Sequence, residues 1–80
     1  MNGPYRIQAR DEKRHRYDDV RVIYDQFGPV DWEWAGSQPA TEFKDWEDAI
    51  SDMENLPGRA IYCCIDMATK KRFFDSNGPA

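Results

Sequence analysis

Histidine is nearly absent from this sequence. His15 is the single one, and it stands in the most charged stretch of the chain, residues 11–16 (DEKRHR). A lone His among Lys, Arg, Asp and Glu reads as a solvated loop residue rather than a general base. Cysteine is almost as scarce: Cys63 and Cys64 are the two, and they are adjacent. Neighbouring side chains of a strand point to opposite faces, so these two cannot pair with each other without distorting the peptide between them. A bridge across one peptide would also close almost no loop. Both are expected to be reduced packing residues. No Cys/His cluster has ligand spacing, so neither a metal nor another cofactor is expected. P-loop, dinucleotide-binding, H-E-x-x-H and G-x-S-x-G motifs are all missing. Carboxylate pairs such as Asp18-Asp19 and Glu47-Asp48 exist, but glycosidase-type chemistry needs two carboxyls facing across a cleft. A sheet with one helix offers little cleft, and the chain is expected not to be an enzyme.

Long apolar runs are missing too. Nothing approaches the roughly 20 residues that cross a bilayer, and the opening MNGPYRIQ lacks the apolar centre of a signal peptide. A cytoplasmic protein with no membrane attachment is the resulting expectation. Linker-like sequence is confined to residues 35–40 (AGSQPA), and no repeat of 20–50 residues is present.

What the chain does have is aromatic and charged. Three Trp, four Tyr and four Phe in 80 residues put large apolar area on few side chains, as a domain this small requires. With 40% hydrophobic and 32% charged residues, the composition is that of one globular domain. Residues 1–4 and 76–80 are expected to be flexible ends.

Period-two alternation marks the strands. In residues 5–10, Tyr5, Ile7 and Ala9 share one face. In 17–27, Val20, Val22 and Tyr24 do, with Ile23 left on the polar side. In 30–34 the apolar set is Val30, Trp32 and Trp34. Residues 59–67 are apolar on both faces, which suggests a central strand. Residues 71–75, with Phe73 and Phe74, complete the set. Between the third and fourth strands, residues 41–58 read as an amphipathic helix. Thr41 is its expected N-cap, Phe43, Trp46, Ala49, Ile50, Met53 and Leu56 are its apolar stripe, and Leu56-Pro57-Gly58 is its stop. The predicted fold class is α+β: an antiparallel five-stranded sheet with one amphipathic helix packed on one face, in the order β-β-β-α-β-β.

Charge is distributed unevenly. Residues 1–30 carry six Lys/Arg against five Asp/Glu, residues 57–80 carry four against two, and residues 31–56 carry one Lys against eight acids. The helix holds most of the excess: Glu42, Asp45, Glu47, Asp48, Asp52 and Glu54 lie off its apolar stripe, with only Lys44 to offset them. Like charges at i, i+4 cost a few tenths of a kcal/mol each, so this face has no local structural gain. It is either a solubilising face or a surface for a basic partner, which Asp31 and Glu33 on the third strand could extend. A second candidate surface is the basic arm of Arg6, Arg10, Lys13, Arg14 and Arg16, flanked by Tyr5 and Tyr17. It could be a solvated hairpin, a site for an acidic protein patch, or a nucleic-acid contact. The interleaved acids and the net charge of −4 argue against direct nucleic-acid binding. The second faces of strands two, four and five (Ile23, Tyr62, Cys64 and one of Phe73 or Phe74) exceed what one helix covers, so monomer and homodimer both stay open.

The acidic helix, the small size and the missing catalytic motifs together resemble the small acidic phage-encoded inhibitors of the anti-CRISPR type. The rhythm of Phe43-x-x-Trp46-Glu47-x-Ala49-Ile50 followed by Leu56-Pro57-Gly58-Arg59 is similar to that of phage and bacterial proteins without known activity. The resemblance implies a protein-binding inhibitor, DNA mimics included, that occupies the basic nucleic-acid channel of a target such as a CRISPR surveillance complex.

Overall fold

The computed structural model describes residues 3–75 and 78–79. Of the two expected flexible ends, residues 1–2, 76–77 and 80 lie outside the described residues. The chain is α+β, with an antiparallel sheet and one short helix. The elements in chain order are β1 (Tyr5–Arg10), β2 (Asp18–Asp25), β3 (Gly28–Trp34), β4 (Glu42–Phe43), α1 (Trp46–Glu54), β5 (Ile61–Asp66), β6 (Lys71–Asp75) and β7 (Gly78–Pro79). Two of them, β4 and β7, are two residues long and carry no sequence signal of their own.

The sheet runs β3-β2-β1-β5-β6-β7. Its centre is β1, which pairs along its whole length with β5, from Tyr5 opposite Asp66 to Arg10 opposite Ile61. On its other edge β1 is shared. Gln8 and Ala9 pair with Asp19 and Asp18 of β2, and then Tyr5 and Arg6 pair with Phe43 and Glu42 of β4. The hairpin β2–β3 therefore peels away from β1 after two pairs, and β4 fills the gap. Thr41 holds the split open from inside: its N–H donates to the Val20 carbonyl at 3.3 Å, and its Oγ1 accepts from the Val22 N–H at 2.9 Å.

That engagement explains why the helix is shorter than its sequence pattern. Thr41 is not an N-cap, because its hydroxyl is spent on β2. Phe43 is buried from a strand instead of a helical turn. The helix starts at Trp46 behind an extended Asp45 (φ −111°, ψ 133°), whose side chain makes no capping bond. Trp46, predicted for the core, is 43% exposed. The chain leaves the helix at Asn55, where the N–H groups of Asn55 and Leu56 return to the carbonyls of Asp52 and Met53. Pro57 then follows, as the stop signal requires.

One buried cluster joins the sheet and the helix. Tyr5, Ile7, Ala9, Val20, Val22, Trp32, Tyr62 and Cys64 from the strands meet Phe43, Ala49, Met53 and Leu56. The residues expected on a second, uncovered face are thus redistributed. Tyr62 and Cys64 lie in this cluster, and Phe73 and Phe74 pack against it. A bulge in the β5–β6 pairing at Cys64/Ile65 shifts the register between the two phenylalanines and their partners, which accommodates both rings on the core. Cys63 and Ile65 are buried outside this cluster, next in line to Gln8 and Arg6 of β1.

The expected faces of β2 and β3 hold only in part. Val20, Val22 and Trp32 are buried, Trp34 is half-buried, and Tyr24 and Val30 are exposed. A bulge between Ile23 and Tyr24 places Tyr24 opposite Pro29 and leaves Val30 inside the irregularity. The hairpin turns through Gly28 at φ 124°, a conformation that favours glycine. Its end projects beyond the core.

Candidate interaction surfaces

The sheet face away from the core cluster is polar, and its charges are matched. Arg6 is its hub. Its Nε and Nη2 donate to Glu42 Oε2 at 3.1 and 3.0 Å, and its Nη1 donates to Asp19 Oδ2 at 2.9 Å. Partial burial works against the guanidinium charge, but the bonds and charges of Glu42 and Asp19 outweigh it and hold the Arg6 pKa above its ordinary value. Gln8 continues the chain of contacts, donating to Asp19 Oδ1 at 2.8 Å and accepting from Arg72 Nε at 3.2 Å. Tyr17 lies between two cations, with Arg10 and Arg72 at 5.2 and 5.0 Å from its ring centre. Arg21 pairs with Glu33 across β2 and β3.

The basic arm is consequently not a free cationic surface. Arg6, Arg14 and Arg16 are all in ion pairs, the last two with Asp18 at 2.9 and 3.5 Å. Arg14 also lies 4.2 Å from the centre of the Trp34 ring, and Arg10 is stacked on Tyr17. Lys13 is exposed, and its backbone N–H donates to Asp11 Oδ1 at 2.9 Å. A cavity of about 420 Å³ opens beside Arg6, Arg14, Arg16, Asp18, Asp19 and residues 35–40, and its cations face those same carboxylates.

The second expected surface divides in two. Asp31 and Glu33 alternate with the core residue Trp32 along β3, so they point away from the helix. Each also has a cation: Arg59 Nη2 stands 2.5 Å from Asp31 Oδ1, and Arg21 holds Glu33. They do not extend the acidic face of α1. On the helix itself the arrangement is opposite. Among the described residues no ion pair involves Asp45, Glu47, Asp48, Asp52 or Glu54. Asp45, Glu47, Asp48 and Glu54 are exposed, Asp52 is half-buried, and the last turn has no basic residue. The contrast with the sheet is direct. Of the six acids in β2, β3 and β4, every one but Asp25 has an arginine.

The Asp52 side chain accepts a hydrogen bond from the sheet. The Tyr24 hydroxyl donates to its Oδ2 at 2.6 Å. Partial burial, then the bond to Asp52 and the charge of Asp52, push the Tyr24 pKa up, so the phenol stays a donor. This contact brings the end of the β2–β3 hairpin against the helix. The same hairpin end carries exposed apolar side chains: Tyr24 at 48% and Val30 at 46%, both expected on buried faces, and Phe27 at 86%, which the alternation did not single out. The signal was present in Gln26-Phe27-Gly28-Pro29. An aromatic inside a turn has no cross-strand neighbour to pack on.

The α1–β5 connection is pinned from the other side. Trp32 Nε1 donates to Tyr62 Oη at 2.8 Å, and the Tyr62 hydroxyl donates to the Pro57 carbonyl. Arg59 lies over the Trp32 ring at 4.6 Å and donates to the Trp32 carbonyl at 2.9 Å. Burial raises the Cys64 pKa to about 12, helped by Cys63 and Glu54, and keeps the thiol protonated. Among the described residues, no group of three or more His, Cys, Asp or Glu could hold a metal ion, and no helix is long and apolar enough to cross a membrane.

These features define a small α+β domain with a charge-matched sheet face and a charge-unmatched helix. Comparison of the chain with protein-family models, with curated proteins and with solved structures finds no match.

Proposed function

We propose that this chain is a non-catalytic protein-binding module, and that the outer side of α1 is its binding surface. In this reading the helix lies across one face of the sheet and turns its carboxylates outward to a basic groove on another protein. The observation that carries the reading is the asymmetry of pairing. Arginines pair with five of the six acids of β2, β3 and β4, whereas five carboxylates within residues 45–54 have no ion pair among the described residues. A row of fixed carboxylates can stand in for phosphates, so the basic groove is one that otherwise holds nucleic acid, and the module acts as an inhibitor of the anti-CRISPR type inside the cell. Association driven by such a field is fast and salt-sensitive.

The test uses Asp45→Lys/Glu47→Lys/Asp48→Lys, which leaves the Tyr24–Asp52 bond in place. Wild-type protein should capture a partner from cell lysate that the folded variant does not capture. The purified partner should lose its mobility shift on DNA or RNA when wild-type protein is added. Equal capture by both proteins, or a nucleic-acid shift that wild-type protein leaves intact, would overturn the reading.

A further inference from the structure

The exposed end of the β2–β3 hairpin is apolar, and nothing in the fold requires it to be. A single exposed hydrophobic residue is ordinary. Here Tyr24, Phe27 and Val30 fall within seven residues of one projecting turn, each about half exposed or more, with Phe27 at 86%. Ile23, on the reverse side of the same strand, is a further 39% exposed. The turn does not need the Phe27 ring: its backbone N–H is held by Asp25 Oδ1 at 2.7 Å, and Gly28 supplies the positive φ. Clusters of this kind mark contact sites.

The surroundings of the cluster select its partner. Asp25 is at the turn. Asp52 is bonded to Tyr24, and Asp48 stands one helical turn before Asp52. From residue 22 to residue 58 the sequence has one cation, Lys44. A second copy docking through the same patch would bring these carboxylates against each other, which opposes a symmetric dimer. An anionic lipid surface is repelled for the same reason. A protein segment that carries Lys or Arg alongside an apolar stripe satisfies both halves at once. We infer that the hairpin tip and the adjoining Asp48–Asp52 flank of α1 form one docking surface for a basic amphipathic segment, with Phe27 as its apolar anchor. This rests on the proposed function and specifies the partner: the basic surface includes apolar side chains, and charge alone does not hold it.

The experiment uses the full chain and defined probes. The first is an 18-residue fluorescent helical peptide of Leu and Lys, with one apolar and one cationic face. The second replaces Leu with Ser. The third replaces Lys with Glu. Vesicles of phosphatidylserine and phosphatidylcholine, and sedimentation of the protein alone, complete the set. The Leu/Lys peptide should bind at least about tenfold more tightly than the Ser/Lys peptide, and the Leu/Glu peptide should not bind. Phe27→Ser/Val30→Ser should weaken the Leu/Lys peptide by about tenfold or more, the scale for losing a buried aromatic anchor. Circular dichroism of that variant should be unchanged, since both side chains are exposed. Equal binding of the Leu/Lys and Ser/Lys peptides, or no effect of the tip variant, would overturn the anchor while leaving the acidic surface standing. Unchanged Leu/Lys binding by Asp45→Lys/Glu47→Lys/Asp48→Lys would instead overturn the acidic surface on which the inference rests. Tip-dependent self-association or vesicle binding would overturn the choice of partner.

Discussion

Removing one oxygen from Tyr62 tests how the helix is tied back to the sheet. Tyr62 and Trp32 are both nearly fully buried, and the Tyr62 hydroxyl is used twice, accepting from Trp32 Nε1 at 2.8 Å and donating to the Pro57 carbonyl. Tyr62→Phe keeps the ring and removes both bonds. It leaves the buried indole N–H without this acceptor, which costs roughly 1–3 kcal/mol, and loses the bond to Pro57, which costs about 1 kcal/mol because that carbonyl can reach water. The expected loss is therefore about 2–4 kcal/mol, or a melting point lower by about 8–32 °C for a domain of this size. Trp32→Phe removes the donor from the other side, together with indole volume and the Arg59 stacking at 4.6 Å. In that background Tyr62→Phe has no indole to orphan, so it should cost only the Pro57 part. The two changes should be non-additive by the indole part, about 1–3 kcal/mol. Urea unfolding followed by far-UV circular dichroism is the suitable assay, because Trp32→Phe removes a fluorophore. If Tyr62→Phe costs the same with and without the Trp32 indole, the bond carries no energy and this account of the α1–β5 anchor is wrong.

Two further outcomes follow from the helix and from the buried thiol. Glu54 ends a helix whose last turn has no cation, so Glu54→Lys replaces an unfavourable charge by a favourable one and should stabilise the fold by about 0.5–1 kcal/mol, read as a rise in urea midpoint. A loss of stability would show that the acid has a structural role not visible in its contacts. Cys64 titrates from an ordinary 9.0 up to about 12 in the fold. Between those values the unfolded chain has lost the proton that the folded chain keeps, so stability is full below pH 9 and falls as pH rises toward 12. Burial of Tyr62 acts with the same sign at higher pH. The part due to the thiol should be missing in Cys64→Ala, and Ellman's reagent at pH 8 should reach Cys64 only after denaturant is added; rapid reaction in the native state would refute its burial.

The strands were legible because alternation survives in single segments. Tyr5, Ile7 and Ala9 read as one buried face and are one. The helix start was not legible. A Thr followed by an acid is also what a capped helix shows, and only the third dimension reveals that Thr41 bonds to Val20 and Val22 of a strand that has left β1. The exposed Trp46 follows from the same event, since it stands at the first turn of a helix that begins later than its pattern. The apolar residues Cys63 and Cys64 announced a strand buried on both sides, but not that a Gln8–Arg72 contact would lie on one side of the sheet and Met53 on the other. For the candidate site, the acids of α1 were visible as a row. That Asp31 and Glu33 belong elsewhere depends on strand parity and on Arg59 and Arg21, which no local pattern connects to them.

The distribution of arginine carries the argument about charge one step further. The chain has seven: Arg6, Arg14, Arg16, Arg21 and Arg59 are in ion pairs with strand carboxylates, and Arg10 and Arg72 flank the Tyr17 ring. Arg fixes planar, bidentate contacts that Lys does not, and here each guanidinium is set on the sheet or its loops. None lies in α1, and neither does a lysine. The largest group of acids without an ion pair among the described residues therefore lies in and next to α1, while five of the six acids of β2, β3 and β4 are paired. Screening confines such a field to about 8 Å at physiological salt, so its effect on a partner depends on what lies next to it. What lies next to it, through the Tyr24–Asp52 bond, is the hairpin turn with Phe27. The unmatched charge and the unburied apolar side chains share one border, which is the juxtaposition that docking of a basic amphipathic segment requires.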